Sequence, residues 1–224
     1  MTDNDNKALE PLDMQKVDYV ASAAKAALGA VPFAGSLLAE LAGTVIPNQR
    51  IDRIVNFAKA LETRIARIEQ DFMRTQLKDE SFTDLLEEGL RQVARSLTDE
   101  RREYIAALIS NSLTSKDIQY YESKHLLKLL EELNDIEIIW LRFYLVSTMN
   151  GDNEFREKHR EILKPVSRVM SSPQPVRDKG TLQDSYKDHL ARLGLLEKEN
   201  KNYKLTPLGR LLLREIGLIE KELA

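Results

Sequence analysis

The chain has no cysteine among its 224 residues. That excludes disulfides, thiolate nucleophiles and cysteine-type zinc sites, and makes a reducing cytosol the expected home. It has no basic excess: 33 lysines and arginines stand against 36 aspartates and glutamates, a net charge of −3. Such a chain has no global attraction for phosphate, so any nucleic-acid surface must be local. Aromatic residues make up only 6% and charged residues 31%, a balance that suits a helical protein. Long apolar runs are missing too. The uncharged run at 26–39 is 14 residues long and is divided by Pro32, whereas a membrane-spanning helix needs ~20 apolar residues. The first six residues, Met1-Thr2-Asp3-Asn4-Asp5-Asn6, are acidic rather than basic and do not predict a secretory signal.

Catalytic patterns are missing as well. His125, His159 and His189 fall on separate predicted helices, with no His-Glu-x-x-His spacing. No Gly-x-Ser-x-Gly elbow is present, and Gly29, Gly35 and Gly43 lack a following Gly-Lys-Ser/Thr. Acidic pairs such as Glu87-Glu88 and Glu131-Glu132 are adjacent on helices, so their side chains diverge by ~100°. No catalytic, cofactor-binding or metal-binding residue is assigned, no cofactor is expected, and the expectation is a protein that is not an enzyme.

What is present is a succession of helix signals. Residues 1–13 are polar and read as a flexible tail. Residues 17–46, rich in Ala, Gly, Leu and Val, read as two short helices joined near Pro32, an apolar hairpin that is either buried or interfacial. Its small residues permit close helix approach in a core or in a bilayer. Leu28, Phe33, Gly35, Leu37, Leu38 and Leu41 are its candidate membrane or partner contacts. The basic residues after it alternate with acidic ones, so attraction to anionic headgroups would be weak.

A long helix is expected over 48–76. Ile51, Ile54, Ala58, Leu61, Ile65, Ile68 and Phe72 alternate spacings of three and four, a heptad seam expected to bury itself against another helix, in the same chain or in a second copy, and the first candidate for oligomerisation. Ser81 is the expected start of the next helix and Thr98 the cap of a third. A fourth follows through residues 118–133, and Asn134-Asp135 caps a strongly apolar fifth. A polar helix over 153–163 stops before Pro165, and residues 171–180 read as a flexible loop.

The end of the chain carries the sharpest pattern. Thr181-Leu182-Gln183-Asp184 resembles a capping box that opens a helix closing at Gly194. Two short strands follow, joined by Asn200-Lys201-Asn202, and Thr206-Pro207 opens a last helix. Helix, glycine stop, hairpin, threonine cap and helix are the signals of a winged-helix module. The predicted architecture is therefore mainly α. A helical bundle over 14–122 is followed by a winged-helix-like domain over 123–224 with one small β-hairpin.

In a DNA-reading module the helix at 181–193 would offer polar side chains to base edges. Leu182, Tyr186, His189 or Leu190, and Leu193 are expected to face inward, leaving Gln183, Asp184, Lys187, Asp188 and Arg192 outward. Gln183, Lys187, Arg192, Lys201 and Lys204 are the candidate nucleic-acid contacts. Two outward carboxylates oppose the phosphate attraction that supplies most of such binding. Packing or a protein partner is therefore the preferred use of this module, and a winged-helix DNA-binding regulator is the alternative.

Three blocks carry a family resemblance. They are Ile46-Pro47-Asn48-Gln49-Arg50 with Arg53 and Phe57; the helix start Leu97-Thr98-Asp99-Glu100-Arg101-Arg102-Glu103-Tyr104-Ile105-Ala106-Ala107-Leu108-Ile109-Ser110-Asn111-Ser112; and His189-Leu190-Ala191-Arg192-Leu193-Gly194-Leu195 with Tyr203-Lys204-Leu205-Thr206-Pro207-Leu208-Gly209-Arg210. Together they resemble the bacterial abortive-infection alpha (Abi-alpha) family over about residues 46–216. The third block is also similar to winged helices of many regulators. The chain departs from the family in its Ala/Gly-rich hairpin and over 153–180. The resemblance implies a role in antiphage defence and no catalytic residues. The expected partners are a second copy of the chain, a partner protein and a membrane, with DNA less favoured. The expected location is the cytosol, with peripheral contact to the inner membrane.

Overall fold

The computed structural model describes residues 51–146, 152–166, 172–200 and 202–219. The apolar segment at 17–46, with Leu28, Phe33, Gly35, Leu37, Leu38 and Leu41, lies outside the described residues, and so does Lys201. The fold is mainly helical with a small antiparallel hairpin near the C-terminus, a helical bundle plus a winged-helix-like end. The chain divides into two compact units between Leu113 and Thr114, ahead of the helix expected through residues 118–133, within which the sequence pattern set the boundary at 122.

The described part of the first unit holds α1 (Ile51–Ile65), α2 (Gln70–Gln76), α3 (Glu80–Arg95) and α4 (Asp99–Thr114). The helix expected over 48–76 is not continuous. It stops at Ile65, and Glu69 is extended before α2 begins. The heptad pattern continues past Ile65, but its packing does not. Ile54, Ala58, Leu61 and Ile65 are at most 4% exposed, and α1 packs on α3. Arg53 ties the two by donating to Ala94 O at 2.9 Å, and Arg64 pairs with Glu103 of α4 at 2.8 Å. Four residues assigned to oligomerisation therefore form this unit's own core. Ile68 is half-buried and Phe72 is 41% exposed.

The cap of α3 is Asp79 rather than Ser81, and its carboxylate accepts from Ser81 N–H at 2.8 Å and Phe82 N–H at 3.3 Å. A carboxylate at a helix N-terminus gains from the dipole as well as the hydrogen bonds. Phe82, Leu85, Leu86, Leu90 and Val93 make the buried stripe. Gly89 within it lets α4 approach, since a Cβ there would lie 2.5 Å from Ile109 Cδ1. Thr98 caps α4, accepting from Arg101 N–H at 3.3 Å. Ile105, Ala106, Ala107, Leu108 and Ile109 are all buried, so α4 is enclosed around its circumference.

The second unit holds α5 (Tyr120–Glu132), α6 (Asp135–Phe143) with a 3-10 turn at Tyr144–Val146, α7 (Asn153–Lys158), α8 (Arg160–Leu163), α9 (Gln174–Arg192), β1 (Leu196–Glu199), β2 (Asn202–Leu205) and α10 (Pro207–Glu215). The apolar α6 sits at its centre, packed against α9 and α10. Asn134 caps α6 through Glu137 N–H at 2.9 Å, and Glu137 returns a carboxylate oxygen to Asn134 N–H at 2.8 Å. Residues 174–180, expected as loop, form the first turns of α9. Pro175 is harmless there because a first-turn N–H has no helical acceptor. Thr181 is accordingly not a cap; its hydroxyl donates to Arg177 O at 3.1 Å inside the helix.

The hairpin closes antiparallel, pairing Leu196 with Leu205, Glu197 with Lys204, Lys198 with Tyr203 and Glu199 with Asn202. Gly194, at φ 72, ends α9 in a left-handed conformation that costs glycine little. Thr206 caps α10 as expected, accepting from Gly209 N–H at 3.0 Å and donating to Gly194 O at 2.7 Å.

Candidate contact face of the winged-helix-like unit

The longest helix of this unit, α9, is phased by packing. Gly180, Gln183, Lys187 and Leu190 are buried at spacings of three, four and three, one face of a helix. This corrects the phase expected from sequence. Gln183 and Lys187, the first two candidate nucleic-acid contacts, are 6% and 8% exposed, whereas Leu182, expected inward, is 54% exposed. Gln183 Nε2 donates to Ile162 O and Lys164 O, each at 3.0 Å, closing the carbonyl end of α8. A glutamine amide is suited to this because it carries two N–H donors.

Lys187 is held by an aromatic pocket and a carboxylate. Its Nζ lies 5.3 Å from the Trp140 ring centroid, 5.7 Å from that of Tyr203, and 2.9 Å from Asp184 Oδ1. The stem covers apolar surface while the ammonium finds π-faces and a counter-ion. Trp140 Nε1 is buried with no hydrogen-bond partner among the described residues. The Tyr144 phenol beside it is pushed up to about 12, first by burial and then by Tyr203 and Asp184.

A second cluster ties the wing to α9. Asp188 Oδ1 accepts from Lys198 Nζ at 2.7 Å and from Tyr203 OH at 2.5 Å. Lys198 and Tyr203 stand opposite each other in the hairpin, and the ammonium also lies 5.3 Å from the Tyr203 ring centroid. The hydrogen bond from Lys198, then that from Tyr203, holds the Asp188 carboxyl below its usual range. The same hydrogen bond from the Asp188 side raises Lys198, and burial leads in raising Tyr203. Towards the end of α9, His189 Nδ1 lies 2.7 Å from Glu137 Oε1, joining α9 to the capping box of α6.

The outer face of α9 presents Asp178, Leu182, Ser185 and Arg192, all exposed, at spacings of four, three and seven. Arg192 and Lys204 are exposed. The described candidates thus separate into two buried structural residues and two surface cations. Neither latch was legible from sequence alone. Lys198 and Tyr203 become partners only through the hairpin register, and Glu137 and His189 are 52 residues apart. The one usable signal was the Asn200 tip, from which the opposing positions count outward.

Among the described residues, no cluster of three or more His, Asp or Glu is placed to hold a metal ion. No described helix is long and apolar enough to cross a membrane. Neither a protein-family profile, nor a curated protein, nor a solved structure matches this chain.

Proposed function

We propose that this chain is a non-enzymatic component of a bacterial antiphage response of the abortive-infection type, acting by self-association and by contact with a partner protein or a membrane. The observation that carries the contact role is the outer face of α9. Where a DNA reader would present several cations and amides, this helix presents Asp178, Leu182 and Ser185 with Arg192 at its end, while Gln183 and Lys187 are turned inward and Lys198 is held by Asp188. A half-exposed leucine flanked by a carboxylate and a hydroxyl suits a protein surface better than a polyanion, because desolvating Leu182 against apolar atoms is favourable and placing Asp178 against phosphate is not. The resemblance of the three sequence blocks to the Abi-alpha family supports the defence role. The composition of residues 17–46 supports the membrane contact.

The test is expression in a phage-sensitive bacterium, with phage yield measured alongside leakage from lipid vesicles. Wild type lowers yield. Leu182→Asp removes the protection while the far-ultraviolet circular dichroism is unchanged. Gly35→Asp or Leu38→Asp abolishes vesicle leakage. Protection that survives Leu182→Asp removes the contact face from the reading, and leakage that survives both hairpin changes removes the membrane. Tight, steeply salt-dependent binding of the wild-type chain to duplex DNA would replace this reading with the DNA-binding regulator.

A further inference from the structure

The Asp188 cluster has the geometry of a filled oxyanion site. Lys198 and Tyr203 sit side by side across the antiparallel ladder, and both point a donor at one oxygen, Asp188 Oδ1, at 2.7 and 2.5 Å. One donor is cationic and the other is a phenol, a combination that makes short, charge-assisted hydrogen bonds to an anionic oxygen. The site is open to solvent: the Lys198 and Asp188 side chains are each 49% exposed. Arg192 lies one turn further along α9 from Asp188, on the same side of the helix, and is exposed. What fills the site is the chain's own helix.

We infer that Asp188 stands in for a backbone phosphate, so that Lys198 and Tyr203 form a phosphodiester-binding site for duplex nucleic acid that α9 keeps masked. The inference is independent of the defence reading. A tethered carboxylate competes at an effective concentration in the millimolar range, so a single free phosphate does not displace it. A duplex does better. It offers a dense row of phosphates, and each one neutralised releases condensed counterions. The wing is therefore silent towards dilute anions and is unmasked when the Asp188 charge is removed.

Fluorescence anisotropy with a random-sequence DNA duplex at low salt, using the full chain, tests this. Asp188→Asn is expected to bind about tenfold tighter than wild type, with a salt slope steeper by about one. Glu199→Gln, in the strand that carries Lys198, controls for the loss of one negative charge near that lysine and is expected to change affinity by less than about twofold. The double variant D188N/K198A returns to the wild-type value. Asp188→Ser, which keeps a short acceptor for Tyr203, repeats the test if Asn disturbs the hairpin. The inference is overturned if neither Asp188 variant binds DNA more tightly than E199Q, or if D188N/K198A binds as tightly as D188N. Phosphatidylglycerol vesicles at equal phosphate separate the two sources of the same chemistry. Vesicle binding by D188N as tight as duplex binding would overturn the assignment to nucleic acid.

Discussion

Single side chains set the second unit's geometry at a few points where no alternative fits. At Gly209 an added Cβ would lie 2.3 Å from Leu195 O and 2.8 Å from Leu205 Cδ1. The first of these is backbone, which has no rotamer with which to move aside. Gly209→Ala is expected to cost about 1–3 kcal/mol in urea denaturation, as overpacked sites do; an alanine variant of wild-type stability would mean that α10 does not meet the hairpin this closely. Tyr144 supplies a pH signature. Its folded value, about 12, lies above the ordinary 10.0. The preference for the neutral phenol therefore contributes stability that is complete below the ordinary value and is lost as pH rises towards the folded one. Tyr144→Phe should remove the part of the alkaline stability loss that falls in that interval, read from thermal melts in steps of pH. Asp188 works in the opposite direction. Its carboxyl is held low, so its contribution is present above the ordinary carboxylate range and fades as pH falls through the lowered value.

Elements are delimited by caps and by the partner that an amphipathic face finds. Asn134 and Thr206 cap α6 and α10, whereas Thr181 lies inside α9. Asn134→Ala and Thr206→Ala are each expected to lower stability by about 1 kcal/mol. Thr181→Ala should leave it within about 0.5 kcal/mol, since an exposed mid-helix threonine gives up only a local bond. A Thr181→Ala loss equal to that of Thr206→Ala would place the start of α9 where the local sequence first suggests it. Gln183 acts between elements. Gln183→Ala leaves the carbonyls of Ile162 and Lys164 without this donor, and a cost of about 1–2 kcal/mol is expected. Hydrogen exchange should quicken in α7 and α8 before it quickens in α5 or α6. Local pattern made the buried stripe of α3 legible, because Phe82, Leu85, Leu86, Leu90 and Val93 admit one helical face. It misphased α9, where three of the four buried positions are a glycine, a glutamine and a lysine beside Leu190, and Leu182 points out. No hydrophobic period exists there to be read.

For the whole molecule, the question is which surface remains for a second copy. The heptad seam is largely consumed inside one chain: Ile54, Ala58, Leu61 and Ile65 are buried, and Phe72 remains accessible. Ile54→Asp is expected to unfold the first unit, because a carboxylate placed in that core has no counter-ion. Phe72→Asp should preserve helicity and, on the self-association reading, lower the mass measured in solution by light scattering. An unchanged mass would exclude α2 as the site of self-association. The net charge of −3 belongs to this scale as well. It leaves no field to draw the chain onto a polyanion, so nucleic-acid binding would depend on local clusters such as the one at Asp188.

The sequence by itself determined the helical class, the caps Thr98, Asn134 and Thr206, the glycine stop at Gly194 and the hairpin around Asn200. Each depends on residues within a few positions of one another, where φ preference, a missing N–H or a short side-chain acceptor acts through short-range sterics and hydrogen bonding. Only the tertiary structure decided where the heptad helix ends, which face of α9 turns inward, and that Asp188 closes on Lys198 and Tyr203. Those outcomes depend on what a side chain meets from a distant part of the chain. A lysine stem over Trp140 and a glutamine across the end of α8 count as interior residues only once those partners are in place.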